Sequence, residues 1–231
     1  MTITNLITPL ERQTLGTNVY AQLKELLVSG KMVPGEKISL RPTAAALGVS
    51  IMPVREAIQR LIAEQALEML PNRAIRIPIM PVTQFREITK IRKKLEGYAT
   101  EIATNLLSKA ELIEITNLSL DLSKEMEKKK PDGARLVNIN KNLHFAIYHG
   151  AQMPTLVQLV ETLWLRIGPI LNYDLHSQYR TTQNFVVIDN HSRLVDALNK
   201  KNADLARQAL EDDIESAAEY IISAGVLVVN D

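Results

Sequence analysis

The stretch from Ala44 to Leu61 constrains this chain more than any other, because it encodes two helices meeting at a tight turn. Gly48 can take the positive φ that ends one helix, and Ser50 can cap the next by accepting a bond from a backbone N–H. Pro53 then falls in the first turn of the second helix, where its missing N–H costs little. At about 100° per residue, Val54, Ala57, Ile58 and Leu61 gather on one side and Met52, Arg55, Glu56 and Gln59 on the other. One face packs and the other is free to read DNA, which is the sequence form of a helix-turn-helix.

A chain of 231 residues, 46% hydrophobic and 23% charged, is long enough for one large or two modest domains. Aromatic residues make up only 4%, and Ala, Leu and Ile dominate, which suits helix-on-helix packing better than a sheet sandwich. The expected fold class is therefore mainly α. No cysteine is present, which excludes a disulfide framework and a thiolate metal site. The first residues lack the pattern of a signal peptide, and no apolar run reaches the roughly 18 residues of a membrane span. A cytoplasmic protein without a membrane partner is expected. Net charge is +1 overall, divided as +3 over residues 1–80 and −2 over the remainder. A mildly basic head on a mildly acidic body suits a DNA-binding module joined to something else.

Helical spacing runs from Thr14 to Val28, with Ser29 and Gly30 as a stop, then over about Pro42 to Leu47, and from Ile51 to about Glu64. Two short apolar runs, residues 67–70 and 75–77, flank Pro71, Asn72, Arg73 and Ala74. They predict a β-hairpin, the wing of a winged helix. Arg73 at its tip and Arg76 off its apolar face are placed to reach phosphates or the minor groove. Pro78 and Pro81 bracket a linker. The domains expected are residues 1–80, a winged helix-turn-helix, and 81–231, an antiparallel helical bundle. Its six helices are predicted near 82–107, 109–129, 134–150, 154–176, 179–200 and 202–225. Lys128, Lys129 and Lys130 read as a solvated helix end.

The chain resembles the GntR family of bacterial transcription regulators, and within it the FadR-like branch whose effector domain is called FCD. The residues that match are Leu47, Gly48, Val49 and Ser50, then Pro53 to Ala57, with Arg60 and Leu61. They are preceded by Pro34, Gly35 and Glu36 and followed by Leu70 to Arg73. The second domain matches through Ile91, Arg92, Leu95 and Glu96, then Leu143 and His144, and finally Asn190, His191 and Val195 to Leu198. Six helices in that domain, not seven, look like the VanR-type subgroup. The resemblance implies DNA contacts at Arg41, Ser50, Arg55, Asn72 and Arg73, and Gln59 joins them on the outward face. It also implies a homodimer on a near-palindromic operator in double-stranded DNA. Where many relatives have a basic residue after the turn serine, this chain has Ile51 and Met52, an apolar pair able to touch a thymine methyl. Ala74 replaces the usual wing glycine. For Arg55 the alternative role is a surface ion pair with a nearby glutamate.

The same resemblance implies a metal site. Relatives have Asp-x3-His on the third helix of this domain and histidines at the positions of His191 and Asp213. This chain offers Asn140, His144, His191 and Asp213, so the anionic ligand has moved while the summed ligand charge stays at −1. Asn140 and His144 are i and i+4 on one helical face. Nitrogen and oxygen donors suit a divalent ion, Zn²⁺ first, with Mn²⁺, Ni²⁺ and Fe²⁺ as alternatives. A small anionic effector, a carboxylate, is expected beside the metal, with Arg92 and Arg166 as counter-charges; packing or ion pairing between helices is the competing role for both. The leading function is a ligand-responsive transcription regulator, a repressor released by its effector. No catalytic residue is assigned. Two other functions stay open: a metal-dependent enzyme built on the helical domain, and a DNA-binding protein with a vestigial pocket.

Overall fold

The computed structural model describes residues 15–29, 31–175, 184–225 and 227–228. Among them are nine helices and three short strands. The head begins with α1 (Leu15–Val28) and continues through β1 (Lys37–Ile38), α2 (Leu40–Leu47), α3 (Ile51–Ala63), β2 (Glu68–Met69) and β3 (Ile75–Arg76). Gly30, expected to help stop the first helix, lies outside the described residues. Gly48 takes φ 64°, and its N–H reaches back to carbonyls of Ala44 and Ala45, so α2 ends as the glycine dictates. Ser50 is the N-cap residue of α3 but makes no side-chain cap bond. That corrects the expected capping bond and leaves its exposed hydroxyl unengaged. Val54, Ala57, Ile58 and Leu61 are buried and face the buried Val19, Leu23 and Leu27 of α1. Each fully buried aliphatic side chain of this set stabilises the head by about 1.5–3 kcal/mol.

The wing is a three-stranded antiparallel sheet in the order β1-β3-β2, with Lys37 opposite Arg76 and Glu68 opposite Arg76 on the other side. The hairpin was expected; its third strand was not. Arg73, not residue 74, takes the positive φ of 63° at the tip. The turn closes through Leu70 N–H to the Ala74 carbonyl at 2.8 Å. The Asn72 side-chain oxygen accepts from Ala74 N–H at 3.0 Å. Ala74 therefore costs the turn nothing, because the left-handed position has moved one residue earlier.

The body comprises α4 (Val82–Leu106), α5 (Lys109–Met126), α6 (Gly133–Gly150), α7 (Pro154–Leu175), α8 (Asn184–Asn199) and α9 (Ala203–Ser223). Residues 179–183 of the predicted fifth helix, with Ser177 and His176, lie outside the described residues. Ser108 and Glu111 form a capping box on α5, while Asp132 and Asn202 cap α6 and α9 with their side chains. The central α4 packs on α6, α7 and α9, and α8 pairs with α9 and touches α5. Functional groups on α4, α6, α8 and α9 are thereby turned toward one interior. No helix among the described residues is long and apolar enough to cross a membrane.

Head and body are joined by more than the linker. Met80, the last residue of the head, is buried with Phe85, Ile167, Ile221 and Leu227 of the body. At Gly168 on α7, an added Cβ would lie 2.9 Å from Val28 Cα and 3.0 Å from the Leu27 carbonyl oxygen. Backbone thus meets backbone where α1 crosses α7, a contact only glycine permits. Lys24 Nζ donates to Glu161 at 2.8 Å and Lys141 Nζ to Glu25 at 2.9 Å, two ion pairs bridging head and body.

Candidate functional site

Two sets of polar groups stand out, one on the surface of the head and one buried in the body. On the head, Arg41 lies in the first turn of α2, while Arg55 and Gln59 project from α3 beside Met52, which is 55% exposed. Arg41, Ser50, Arg55, Gln59, Asn72 and Arg73 are all exposed. Arg41, Arg55 and Arg73 make no side-chain ion pair among the described residues, so the surface ion pair weighed for Arg55 is not formed. Two other arginines are engaged. Arg76 Nε donates to Glu68 at 2.6 Å across the wing, a half-exposed pair for which a phosphate would have to compete. Arg60 lies 3.6 Å from the Tyr20 ring centre and donates to Glu64 at 3.1 Å. Tyr20 donates to the same carboxylate at 2.7 Å. Burial and the bond to Glu64 push its phenol up to about 12.

In the body, α6, α8 and α9 each contribute one buried group: His144, His191 and Asp213. His144 Nε2 is 3.4 Å from Asp213 Oδ2, and His191 Nε2 is 3.5 Å from Oδ1 of the same carboxylate. One donor atom from each residue lies within 4.8 Å of the others. Asn140 is half-buried one turn before His144, and its side chain makes no hydrogen bond among the described residues.

A hydrogen-bond chain behind His144 fixes its chemistry. Tyr148 is fully buried and donates its only proton to Glu96 at 2.5 Å. Its oxygen lies 3.0 Å from His144 Nδ1 and can act there only as acceptor. Nδ1 therefore carries a hydrogen, and in the neutral ring Nε2 presents a lone pair. That lone pair faces Asp213. His191 Nε2 is buried without a hydrogen-bond partner and faces the same carboxylate. Burial alone would push Asp213 up, but the His191 and His144 imidazoles outweigh it and hold the carboxyl well below the usual range. Burial, reinforced by Glu96, pushes the Tyr148 phenol well above its ordinary value. Two imidazole nitrogens and a buried carboxylate thus converge within 4.8 Å, a donor set that could hold a borderline divalent metal.

Arg92 is buried and forks onto Glu96, with Nε to Oε1 at 2.6 Å and a terminal nitrogen to Oε2 at 3.1 Å. Its charge is already balanced. Arg166 is half-buried, and its Nε has no hydrogen-bond partner among the described residues. Tyr148, Glu96 and Trp164, whose ring lies 5.7 Å from that of His144, were given no role from sequence. A signal existed for the first two. His144 with Tyr148, and Arg92 with Glu96, are i,i+4 pairs of polar groups on inward helix faces.

Residues 15–77 match the family model described as bacterial regulatory proteins, gntR family, and residues 87–216 match the FCD domain. The HTH-type transcriptional regulator McbR of Escherichia coli (strain K12) is 34% identical over 199 residues, covering 86% of this chain and 89% of that protein. The solved structure of E. coli McbR/YncC superimposes with a TM-score of 0.84 at 31% identity, over 93% of this chain and 100% of that one. A putative GntR regulator from Rhodococcus sp. RHA1 shares the fold, with a TM-score of 0.74 at 22% identity, over 90% of this chain and 98% of that one. The gluconate operon transcriptional repressor of Bacillus subtilis (strain 168) is 24% identical over 91% of this chain and 87% of that protein.

Proposed function

The chain belongs to the GntR family of bacterial regulatory proteins, in the branch that carries an FCD domain, and we propose that it is a metal-assisted, carboxylate-responsive repressor acting as a homodimer. Its homologues and both of its domains are those of transcription regulators, not enzymes. The helix-turn-helix implies DNA as a partner and the FCD domain an effector ligand. The finer assignment divides the chain into a reading head, residues 1–80, and a sensing body, residues 81–231, working in the cytoplasm.

The convergence of two imidazole nitrogens on the buried Asp213 carboxylate is the observation that supports a metal-centred sensor. His144, His191 and Asp213 would hold the ion, with Asn140 one turn away as a further oxygen donor. Zn²⁺ is the first choice for this mixed set, ahead of Mn²⁺, Ni²⁺ and Fe²⁺. Because Arg92 offsets Glu96, Asp213 is the one carboxylate of the cluster without a full cation. A divalent ion would supply the chemistry of an electrophile and leave one net positive charge, which an effector carboxylate would complete. Arg166, with an unpartnered buried Nε, suits that carboxylate; Arg92 acts through Glu96 and Tyr148. A relative named as a transcriptional repressor supports the sign of regulation.

The reading face is proposed to be Arg41, Ser50, Arg55, Gln59, Asn72 and Arg73. Arg55 has the geometry to fork onto guanine N7 and O6, Met52 to meet a thymine methyl, and Arg41 and Arg73 to neutralise phosphates. The unengaged Ser50 hydroxyl is available to a phosphate. Asn72 accepts one bond at its oxygen from the wing turn, and its amide N–H groups remain for DNA. Genomic fragments selected on the purified protein supply the operator. On it, Arg55→Ala should lose about 1–3 kcal/mol, roughly 5- to 150-fold in affinity, with non-specific binding little changed. An unchanged titration at fixed salt removes Arg55 from the readout, and failure to enrich any fragment defeats the regulator. For the metal, Tyr148→Phe removes the acceptor that sets the His144 tautomer. Zn²⁺ affinity measured against a competing chelator should fall about 10- to 100-fold. Wild-type affinity in this variant would show that the tautomer is set elsewhere.

A further inference from the structure

A cavity not lined by His144, His191 or Asp213 lies where the head meets the body. It encloses about 490 Å³, within the size range of small-molecule sites. Ala21 and Val28 of α1 form one apolar wall, and Phe145 of α6 and Trp164 of α7 form the other. The two aromatic rings meet edge to face, 5.2 Å apart at 68°, and make a corner that accepts a flat ring. Lys24 and Lys141 also line the cavity, each paired with a glutamate of the opposite domain, Glu161 and Glu25. Those pairs are only partly buried, so an incoming anion can compete for either ammonium group. Trp164 is 4% exposed, and its indole N–H, a donor only, has no partner among the described residues.

We propose that this junction is a second ligand site, taking a small aromatic carboxylate whose ring lies in the Phe145–Trp164 corner and whose carboxylate takes Lys141 or Lys24 from its glutamate. Occupancy exchanges a bond between head and body for a bond to ligand. The site therefore acts on the arrangement of the reading head directly, without passing through the metal cluster. Trp164 also touches the cluster, with the His144 ring 5.7 Å away and the Arg92 guanidinium 5.2 Å from the indole centre. One indole is thus a wall of both sites.

Trp164 is the protein's single tryptophan, so it reports on the cavity unaided. The full chain is titrated with 8-anilinonaphthalene-1-sulfonate, an aromatic anion that accepts energy from an indole. Quenching of Trp164 should saturate at one probe per chain. Displacement should occur with 2-naphthoate at concentrations at least about tenfold lower than with neutral 2-naphthylmethanol. Ala21→Leu, on an exposed position of α1, fills the cavity, and Lys141→Met removes the charge while keeping the stem. Each should weaken the probe by about tenfold or more. His191→Ala, in the metal cluster, should shift it by less than about twofold. Probe binding without Trp164 quenching, wild-type affinity in both junction variants, or loss in His191→Ala alone would overturn the proposal. None of those outcomes bears on the metal site or on operator binding, which are tested separately.

Discussion

Glu96→Ala is expected to destabilise the protein by about 3–5 kcal/mol, read as a lowered denaturant midpoint at unchanged slope. The size follows from what the substitution abandons. Glu96 is 0% exposed and Arg92 5%; the fork between them, at 2.6 and 3.1 Å, lies inside the helical bundle. Removing the carboxylate leaves a guanidinium buried without an anion and the Tyr148 hydroxyl without its acceptor. The exposed pair Lys200–Asp196, with side chains 68% and 60% exposed, should contribute no more than about 1 kcal/mol. The double variant Arg92→Met, Glu96→Leu should recover most of the loss, since two apolar side chains desolvate cheaply. A single-variant cost near that of Lys200→Ala would mean that the fork is effectively hydrated.

How much of this was legible in the sequence divides along the range of the interactions. Gly48 and the inward face of α3 are set by neighbours within a few residues, and the spacing announced them; the expected Ser50 cap bond is not made. Strand β1 is only Lys37 and Ile38 and exists because β3 pairs with it; nothing local marks two residues as a strand. Helix α2 starts at Leu40, not near Pro42, which puts Arg41 inside its first turn. In the wing, the residue types were right but the left-handed position fell on Arg73, because Asn72 ties Ala74 into the turn. The meeting of His144, His191 and Asp213 from three helices depends on packing across the whole bundle, and a resemblance, not a spacing, singled them out. The ion pairs and the cavity between head and body have no sequence signature at all, since each joins residues whose local patterns are those of ordinary solvated helix faces.

Asp213→Ala should weaken Zn²⁺ by more than about 100-fold, beyond the 10- to 100-fold typical of losing a supporting partner, because the residue is itself a donor. Among the described residues it is the only carboxylate grouped with both His144 Nε2 and His191 Nε2, so its loss removes that anion along with a ligand. Thermal or chemical unfolding with and without metal gives the readout. At a free Zn²⁺ concentration 100 times the wild-type Kd, wild type gains about 2.7 kcal/mol, whereas a variant weakened 100-fold gains only about 0.4 kcal/mol. Equal gains would exclude Asp213 from the site and the site with it. The same logic tests whether charge, not residue identity, is what this bundle preserves. Asp213→His alone keeps three donors but loses the carboxylate, and should bind more weakly than wild type though better than the alanine variant. Adding Asn140→Asp returns the carboxylate one turn before His144, restores the net ligand charge, and should recover most of the metal-dependent stabilisation. Recovery in the double variant but not in Asp213→His would make Asn140 and Asp213 alternative seats for a single anion. No recovery would place Asn140 outside the coordination sphere and leave His144, His191 and Asp213 as the whole protein contribution.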